Sequence, residues 1–537
     1  MDATSRNGTW LRAIDIAELR GRGRAVVKLE GKQLALFAVG ERVFACNNRC
    51  PHEGYPLIEG HVLDHLDHGC VLTCNWHNWK FELDTGDNVY GGDSLRIYPT
   101  RVTEGAVWLD LRDAPDAQRI AAAHHRLNQA MDDNQYDRIA RELARLAKAG
   151  ADPRQGVARA IIRSHERLRD GMTHAYAASN GWLRLHDSLT DPAERLMCLA
   201  ESVGHIAYDT LREHAWPYNA DERAWSAASF LAAVEARDEA AAVALVRGAL
   251  LTGVNFAALE ETLAPAALAH HNDFGHSLIY LCACADLIAR FGHDVELPLL
   301  LAYVRSLVRA TREDLVPEFR GYAATLEAWN AHGTGDSETL DANPLVTSSI
   351  KRALAAVLAA RTAAPINLFH VLLDAAASQL LRFDATREQV PEGTVADNIG
   401  WLDFTHAITF ANAARRTCTR FPQLWPAALL QMALFVGRNS PYLAPSGDED
   451  RWRVADLTAF DADCRARVLN HGVGLYIHSA HLLKTWLAAR DEWSAGAPAD
   501  VAGRVATALN RYLSARVHQK RTLRTARQAI DFVALED

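Results

Sequence analysis

The chain has 537 residues, more than a single hydrophobic core usually serves, so at least two domains are expected. Apolar residues make up 49% of the chain and charged residues 23%, which is typical of a folded globular protein. The net charge of −9 disfavours nucleic acid as a partner, because no basic excess is available to neutralise phosphates. No apolar run is long enough for a transmembrane helix, and the N-terminus lacks signal-peptide features, which predicts a cytoplasmic protein with no membrane partner.

The organisation of the chain changes near residue 118. Short apolar segments such as 25–29 and 34–39, separated by glycine and charged residues, predict strands of a small all-β domain. Beyond them the chain is rich in Ala, Leu and Arg with the 3.6-residue period of helices, most clearly at 136–146. The sequence therefore predicts a multidomain fold, with an N-terminal all-β domain at 1–118 and a large all-α domain at 119–537.

Two short segments pair a cysteine with a histidine, Cys50-Pro51-His52 and Cys74-Asn75-Trp76-His77. In a reducing compartment such cysteines are better interpreted as metal ligands than as halves of disulfides. Two thiolates can hold one iron of a [2Fe–2S] cluster while two imidazoles hold the other, which raises the reduction potential of the cluster. A zinc site is the alternative, but the helix that a Cys₂His₂ finger places around its second pair is not predicted here.

This pattern resembles the Rieske iron–sulfur domain over residues 8–115. The resemblance implies that Cys50, His52, Cys74 and His77 bind the cluster. The spacing between the two pairs is longer than is common in that family, and the extra residues around 65–69 predict a surface hairpin that leaves the ligands unaffected. The flanking residues that agree with the family are Gly54, Pro56, Leu57, Trp79, Phe81 and the turn Asp84-Thr85-Gly86.

Other residues near the ligands indicate the subtype. Respiratory-type Rieske loops carry an additional disulfide, whereas here Tyr55 and Trp76 stand at those places, so the chain resembles the oxygenase or ferredoxin type. Cys46 and Cys70 each precede a ligand cysteine by four residues. We expect both to be small core residues of the sheet.

The predicted helical domain lacks the Asp-x-x-His pattern of familiar Rieske oxygenases, so any metal site in it must be built differently. Several of its histidines lie in apolar helical segments, where each buried imidazole needs a partner, and Glu201 and Asp374 stand one turn from two of them. Each could be an ordinary core histidine, but imidazoles from several helices can together hold non-haem iron. The candidate metal ligands are His205, His271, His276, His370, His406, His478 and His481.

Short motifs that begin at His276, His406 and His481 also resemble the scattered histidine motifs of the questin-oxidase-like family. That resemblance covers little of the domain. It implies an all-helical oxidase that acts on an aromatic or polyketide-like substrate.

These observations predict an O₂-dependent, oxygenase-like oxidoreductase in which the [2Fe–2S] cluster passes electrons to non-haem iron in the helical domain. No Gly-rich dinucleotide fingerprint is present, so a separate ferredoxin or flavin reductase is expected as electron donor and a small molecule as substrate. A homo-oligomer is compatible with the resemblance, because many Rieske oxygenases pass electrons between subunits. The alternative is an electron-transfer protein whose helical domain docks a partner and holds no metal of its own.

Overall fold

The computed structural model describes residues 6–7, 9–65, 67–312, 315–331, 338–389, 398–516, 526–527 and 529. The chain divides into two compact units, Met1–Ala151 and Asp152–Asp537. An N-terminal β-sheet domain is followed by a mostly helical region, which confirms the predicted fold class. Within the described ranges, no helix is both long enough and apolar enough to cross a membrane.

The first unit contains three four-stranded antiparallel sheets, in the strand orders β1-β2-β12-β11, β10-β5-β4-β3 and β6-β7-β8-β9. Its elements are β1 (Arg6–Asn7), β2 (Trp10–Asp15), α1 (Ile16–Arg22), β3 (Arg24–Leu29), β4 (Lys32–Val39), β5 (Arg42–Asn47), β6 (His61–His65), β7 (Gly69–Thr73), β8 (Lys80–Glu82), β9 (Asn88–Tyr90), β10 (Ile97–Tyr98), β11 (Thr100–Thr103), β12 (Ala106–Leu109), α2 (Asp116–Asp132) and α3 (Tyr136–Lys148).

Strand β4 separates the two hydrophobic cores of this unit. Its side chains alternate across the sheet, so Leu34 and Leu36 belong to one core while Ala35 and Phe37 belong to the other. This explains why the segment is continuously apolar rather than alternating, as strands buried on both faces are. The second core contains the cysteines of both predicted ligand pairs.

The helical hairpin α2–α3 is attached to the sheets by buried ion pairs. Asp93, on the loop after β9, is fully buried and contacts Arg141 and Arg145 of α3. Glu142 of α3 is equally buried and contacts Arg126 of α2 as well as Arg145. The hairpin therefore belongs to the first compact unit, Met1–Ala151, and the domain boundary at 118 stays a prediction.

The second unit is built from helices. They are α4 (Gln155–Ser164), α5 (His174–Ser188), α6 (Pro192–Asp209), α7 (Ala227–Glu235), α8 (Glu239–Leu251), α9 (Phe256–Ala269), α10 (Asn272–Phe291), α11 (His293–Arg309), α12 (Tyr322–Ala331), α13 (Ala342–Val346), α14 (Ile350–Ala359), α15 (Pro365–Arg382), α16 (Trp401–Arg420), α17 (Trp425–Asn439), α18 (Leu457–Leu469), α19 (Tyr476–Ser494) and α20 (Ala499–Leu513).

Helices α5, α10, α16 and α19 form a closed ring in which each helix packs against two others of the set; we call it the helix ring. Two layers of side chains show that all four helices run in the same direction. One layer consists of a histidine from each helix, described below. The other lies ten residues further along each helix, where Arg184 pairs with Asp491 at 2.6 Å and Arg416 pairs with Asp286 at 2.7 Å. The charges in this layer alternate in sign from helix to helix around the ring.

Candidate metal centres

Two loops of the first unit repeat the same backbone geometry, one starting at Cys50 and the other at Cys74. In each loop the cysteine amide donates to the carbonyl oxygen five residues further on, at 2.9 and 2.8 Å. The amides of Gly54 and Asn78 donate back to the two cysteine carbonyls, at 2.9 and 3.1 Å. Both residues have a positive φ, 82° and 61°, which favours glycine and asparagine. The repeated geometry brings one cysteine and one histidine from each loop to the same place.

The four predicted ligands form a mixed sulfur and nitrogen site. Cys50 and Cys74 are buried in the core, and burial raises the pKa of the Cys50 thiol to about 11, with the neighbouring Cys74 adding to the effect. His52 and His77 lie at the surface with their Nδ1 atoms 3.1 Å apart. Two thiols on one side and two imidazole nitrogens on the other fit a cluster with one cysteine-bound and one histidine-bound iron. Binding of the cluster would displace the thiol protons.

Aromatic side chains hold both ligand histidines in place. Trp79 stacks on His52 with ring centroids 4.6 Å apart, and Trp76 stacks on His77 at 5.2 Å. Tyr55 packs edge to face on Trp76 at 5.4 Å. Tyr55 and Trp76 occupy the places where a disulfide joins the loops of a respiratory-type domain. An aromatic contact therefore links the two loops here.

The neighbouring elements agree with their predicted roles. Cys46 on β5 and Cys70 on β7 are buried in the same core as the ligand cysteines. Strands β6 and β7 pair in antiparallel register from His61 to Thr73 and form the predicted hairpin between the two loops.

In the second unit, one histidine from each helix of the helix ring reaches a common point. His276 Nε2 lies 3.1 Å from His174 Nε2 and 3.0 Å from His406 Nε2. His406 Nε2 in turn lies 3.3 Å from His481 Nε2. We call His174, His276, His406 and His481 the histidine cluster.

The opposite ring nitrogens fix which atoms carry protons. In His276, His406 and His481, Nδ1 lies 2.5–2.9 Å from the backbone carbonyl oxygen one helical turn earlier. A carbonyl oxygen only accepts, so Nδ1 carries the proton and Nε2 presents its lone pair. The Nδ1 of His174 lies 3.4 Å from the hydroxyl of Tyr280, which can accept in the same way. Metal-binding histidines are oriented by this kind of bond.

The surroundings keep these imidazoles neutral. Burial and the nearby Lys484 lower the pKa of His276 to about 3, and they hold the pKa values of the other cluster histidines well below the ordinary range. Lys484 Nζ lies 3.3 Å from His406 Nε2, and burial lowers the pKa of this amine to about 7. Each cluster histidine also lies within the first two turns of its helix, where the helix dipole disfavours added positive charge.

Three of the seven predicted helical ligands, His276, His406 and His481, meet in the cluster. Its fourth member, His174, was not among the residues predicted from the sequence. It is the first residue of α5, directly after Thr173, whose side chain caps the helix, so no apolar helical residues precede it. Thr is a preferred N-cap residue, so the Thr-His pair at the start of a helical pattern was the signal that places this histidine in the first turn of a helix.

His205 and His478 lie near the cluster without joining it. The ring of His205, on α6, stacks on Tyr476 with centroids 5.2 Å apart, and its Nε2 lies 3.6 Å from a carboxylate oxygen of Asp209. His478 precedes His481 by three residues on α19 and contributes to lowering the pKa of His481. His205 lies on a helix outside the helix ring, and His478 lies on α19 three residues before the cluster member His481, so neither is the residue that its helix brings to the common point.

His271 and His370 occupy other surroundings. The ring of His271 packs against Phe319 and Phe435, with centroids 5.4 and 5.3 Å away. His370, on α15, is half-buried beside Phe369. The aromatic neighbours of His271 and the position of α15 outside the helix ring account for their absence from the cluster.

The predicted carboxylates also have partners elsewhere. Glu201 accepts a hydrogen bond from the Ser479 hydroxyl at 3.2 Å and lies 3.4 Å from His471 Nε2. Asp374 pairs with Arg504 at 2.5 Å. Among the residues that the structure describes, the ligand atoms that converge in the second unit are therefore histidine nitrogens.

The fold and the first site define a protein with a Rieske-type iron–sulfur unit, and comparison with known proteins agrees. Residues 9–96 match the family model of the Rieske [2Fe–2S] domain. The chain is 34% identical over 83 residues to the ferredoxin subunit of 3-phenylpropionate/cinnamic acid dioxygenase from Escherichia coli, covering 15% of this chain and 74% of that protein. Through this N-terminal region the chain belongs to the Rieske [2Fe–2S] family, which confirms the prediction.

Two further similarities lie in the same region. The chain is 25% identical over 104 residues to the ferredoxin component of the naphthalene 1,2-dioxygenase system from Pseudomonas putida, covering 19% of this chain and 95% of that protein. The solved structure of the ferredoxin of carbazole 1,9a-dioxygenase from Nocardioides aromaticivorans matches with 20% identity and a TM-score of 0.18, covering 20% of this chain and all of that one. Each of these matches spans a fifth of the chain or less.

Proposed function

We propose that the protein is an O₂-dependent oxidoreductase in which the Rieske cluster passes electrons to iron held by the histidine cluster of the second unit. One observation carries the proposal: Nε2 atoms from four helices lie 3.0–3.3 Å from their neighbours while their Nδ1 atoms face acceptors. Lone pairs this close repel unless a cation or a proton lies between them. The lowered pKa values of these histidines disfavour the proton, so a metal ion is the better occupant.

The spacing of these atoms fits a metal ion. Bonds of about 2.1 Å from a metal to imidazole nitrogens leave neighbouring ligands about 3.0–3.4 Å apart in octahedral or tetrahedral coordination. The measured Nε2 separations of 3.0–3.3 Å lie in that range. Imidazole suits iron, and a Rieske cluster is a one-electron carrier that needs a redox-active acceptor.

When bound, iron would supply the centre at which O₂ is activated. The chain's own groups have separate tasks. The backbone carbonyls and Tyr280 hold the four rings in one orientation, and the buried surroundings exclude water. Lys484 places an amine with a lowered pKa 3.3 Å from His406, and the four helix N-termini disfavour protonation of the rings, which leaves their Nε2 lone pairs available.

The relatives of the first unit support its role as an electron carrier, since two of them are ferredoxin components of dioxygenase systems. We infer that a ferredoxin or flavin reductase supplies the electrons and that a small organic molecule is oxidised. The resemblance to questin-oxidase-like proteins favours an aromatic or polyketide-like substrate.

Metal analysis of anaerobically purified protein tests the iron site. We expect the wild-type chain to contain iron in excess of the pair in the Rieske cluster. His276→Ala or His406→Ala should lose the excess iron and the O₂-dependent turnover, while the Rieske EPR signal persists. His370→Ala is the matched control, because it removes a helical histidine that lies outside the cluster, and it should keep both.

Two outcomes would contradict the proposal. If the wild-type protein contains only the two irons of the Rieske cluster, the proposed second iron site does not exist. Full iron content in both cluster variants would show that these histidines do not hold it. In either case a helical unit that docks an electron-transfer partner becomes the better explanation.

A further inference from the structure

Helix α3 carries an unusual set of charges beside the ligand loops of the first unit. Two carboxylates in this region are fully buried, Asp93 on the loop after β9 and Glu142 on α3. Arg141 and Arg145 contact Asp93, while Arg126 and Arg145 contact Glu142. Three arginines thus already share two carboxylates, so this group has a net positive charge before any further cation is counted.

Arg138, one turn before Glu142 on the same helix, is the additional cation. Its residue exposure is 8%, and its terminal nitrogens donate to the neutral side chains of Gln129 at 2.8 Å and Gln135 at 3.5 Å. The carboxylate of Asp133 approaches only to 3.9 Å. The Nε of Arg138 is buried and has no hydrogen-bond partner among the described residues. Burial lowers the pKa of Arg138, as expected where a guanidinium lacks a close counter-charge.

Arg138 lines an open groove of about 730 Å³ together with His52 and His77, the two ligand histidines of the Rieske site. Asn88 and Arg141 also line this groove. The volume is typical of small-molecule sites. The aromatic residues that line the groove, which we call the aromatic wall, are Trp79, Tyr90 and Tyr136.

We propose that this groove binds a small organic anion, with its carboxylate or phosphate group at Arg138 and its body against the aromatic wall. Such a group would supply the close counter-charge that Arg138 lacks. Asp137 at the rim and Glu53, about 4 Å from both ligand histidines, are exposed carboxylates. Solvent screens their repulsion of an anion more than it screens the attraction of buried Arg138.

Binding of an anion here would be linked to the redox state of the Rieske cluster, because the ligand histidines line the same groove. Reduction adds an electron to the cluster, and the added negative charge disfavours a neighbouring anion. By reciprocity, a bound anion must lower the midpoint potential of the cluster.

Calorimetric titration of the oxidised full-length holoprotein tests the site, with benzoate as the probe. We expect saturable binding that benzyl alcohol, its uncharged analogue, does not show, and at least tenfold weaker binding to Arg138→Gln. Arg12→Gln is the matched control, because Arg12 is a partly exposed arginine on β2 that is paired with Asp15, and it should bind benzoate like the wild type. Inorganic phosphate distinguishes the two halves of the site: binding as tight as that of benzoate would assign the affinity to the charged group, and weaker binding would assign part of it to the aromatic wall.

A redox titration gives an independent readout. Benzoate should shift the midpoint potential downward in the wild type, beyond the effect of potassium chloride at equal ionic strength, and the shift should shrink in Arg138→Gln. Arg138→Lys, which keeps the charge but loses the planar guanidinium, should give an intermediate affinity, and the Rieske EPR signal verifies that both variants hold the cluster. Absence of saturable binding of both benzoate and phosphate, or unchanged affinity in Arg138→Gln, would overturn the proposal.

Discussion

At the scale of single residues, the proton on each Nδ1 decides whether the histidine cluster can bind a metal. His174 depends for this on the hydroxyl of Tyr280, whereas the other three rings use backbone carbonyls that no substitution removes. Tyr280→Phe should therefore weaken iron binding to the second unit by about tenfold or more, the usual effect of losing such an orienting bond. Metal competition assays with a chelator measure the loss.

Tyr303→Phe provides the control for that substitution. Tyr303 is fully buried, and its hydroxyl has no hydrogen-bond partner among the described residues. Removing this hydroxyl should leave iron affinity unchanged. Equal loss of affinity in the two variants would show that Tyr280 acts through packing and not through His174.

The buried His205 makes the free energy of unfolding depend on pH. Burial and Lys484 lower its pKa from 6.5 to about 3 in the folded chain. Between these pH values the unfolded chain binds more protons, so stability falls as the pH drops from 6.5 toward 3. The full effect is about 4–5 kcal/mol. His205→Gln should therefore lose less unfolding free energy between pH 7 and pH 4.5 than the wild type does, as measured by urea unfolding at both pH values.

Asp209, the neighbour of His205, acts in the opposite direction. Burial raises its pKa from 3.8 to about 6, so the folded chain binds the additional proton and stability rises as the pH falls through that window. Asp209→Asn should consequently make the protein more sensitive to acid than the wild type. If His205→Gln and Asp209→Asn shift the pH dependence of unfolding free energy in the same direction, this assignment is wrong.

At the scale of elements, the start of α10 is irregular in a way that places His276. Asn272, Asp273 and Gly275 all have positive φ, at 51°, 47° and 76°. A Cβ on Gly275 would lie 2.3 Å from the ring of Phe410 on α16. Only glycine combines this backbone conformation with so close an approach to the next helix of the ring.

Gly275→Ala should therefore lower the free energy of unfolding by about 2–4 kcal/mol, from backbone strain and overpacking together. It should also weaken iron binding, because relief of the clash displaces His276. Gly253→Ala is the matched control: its φ is +83°, but nothing lies within 4 Å of the added Cβ, so only the strain of about 1 kcal/mol remains. A Gly275→Ala protein with the stability of the Gly253→Ala protein would exclude the steric contribution.

The charged layer of the helix ring joins its four parallel helices by ion pairs. Their carbonyl ends all carry partial negative charge at the same end of the ring. Arg184 and Arg416 lie toward that end, and each pairs with an aspartate of a neighbouring helix, so the layer as a whole is neutral. The opposite ends, where the helix amides carry partial positive charge, surround the histidine cluster and help to keep its imidazoles neutral.

The sequence was informative about elements whose residues are neighbours in the chain. The continuous apolar run of β4 and the 3.6-residue pattern of α3 identified a strand and a helix, and the two cysteine–histidine pairs identified the Rieske loops. His174 was missed because it starts its helix, and His370 was included because its segment is apolar. Which helix faces which other helix is set by packing among distant residues, which periodicity does not contain.

At the scale of the whole molecule, the same limit applies to the boundary between the two units. Composition changes near residue 118, but Asp93 pairs with Arg145 across 52 positions of sequence and extends the first unit to residue 151. We therefore propose that residues 1–151, and not 1–118, form the independent Rieske unit. The arginines on the helices of the hairpin pair with the buried carboxylates of this unit.

Expression of the two fragments tests this boundary. Fragment 1–151 should fold and give the Rieske EPR signal on reduction by dithionite. Fragment 1–118 should be less stable by about 3–5 kcal/mol, because it leaves the buried carboxylate of Asp93 without Arg141 and Arg145. Asp93→Asn in the short fragment should restore part of that stability, since a neutral amide costs less to bury than a carboxylate without its partners. Two fragments of equal melting temperature would place the boundary at residue 118 after all.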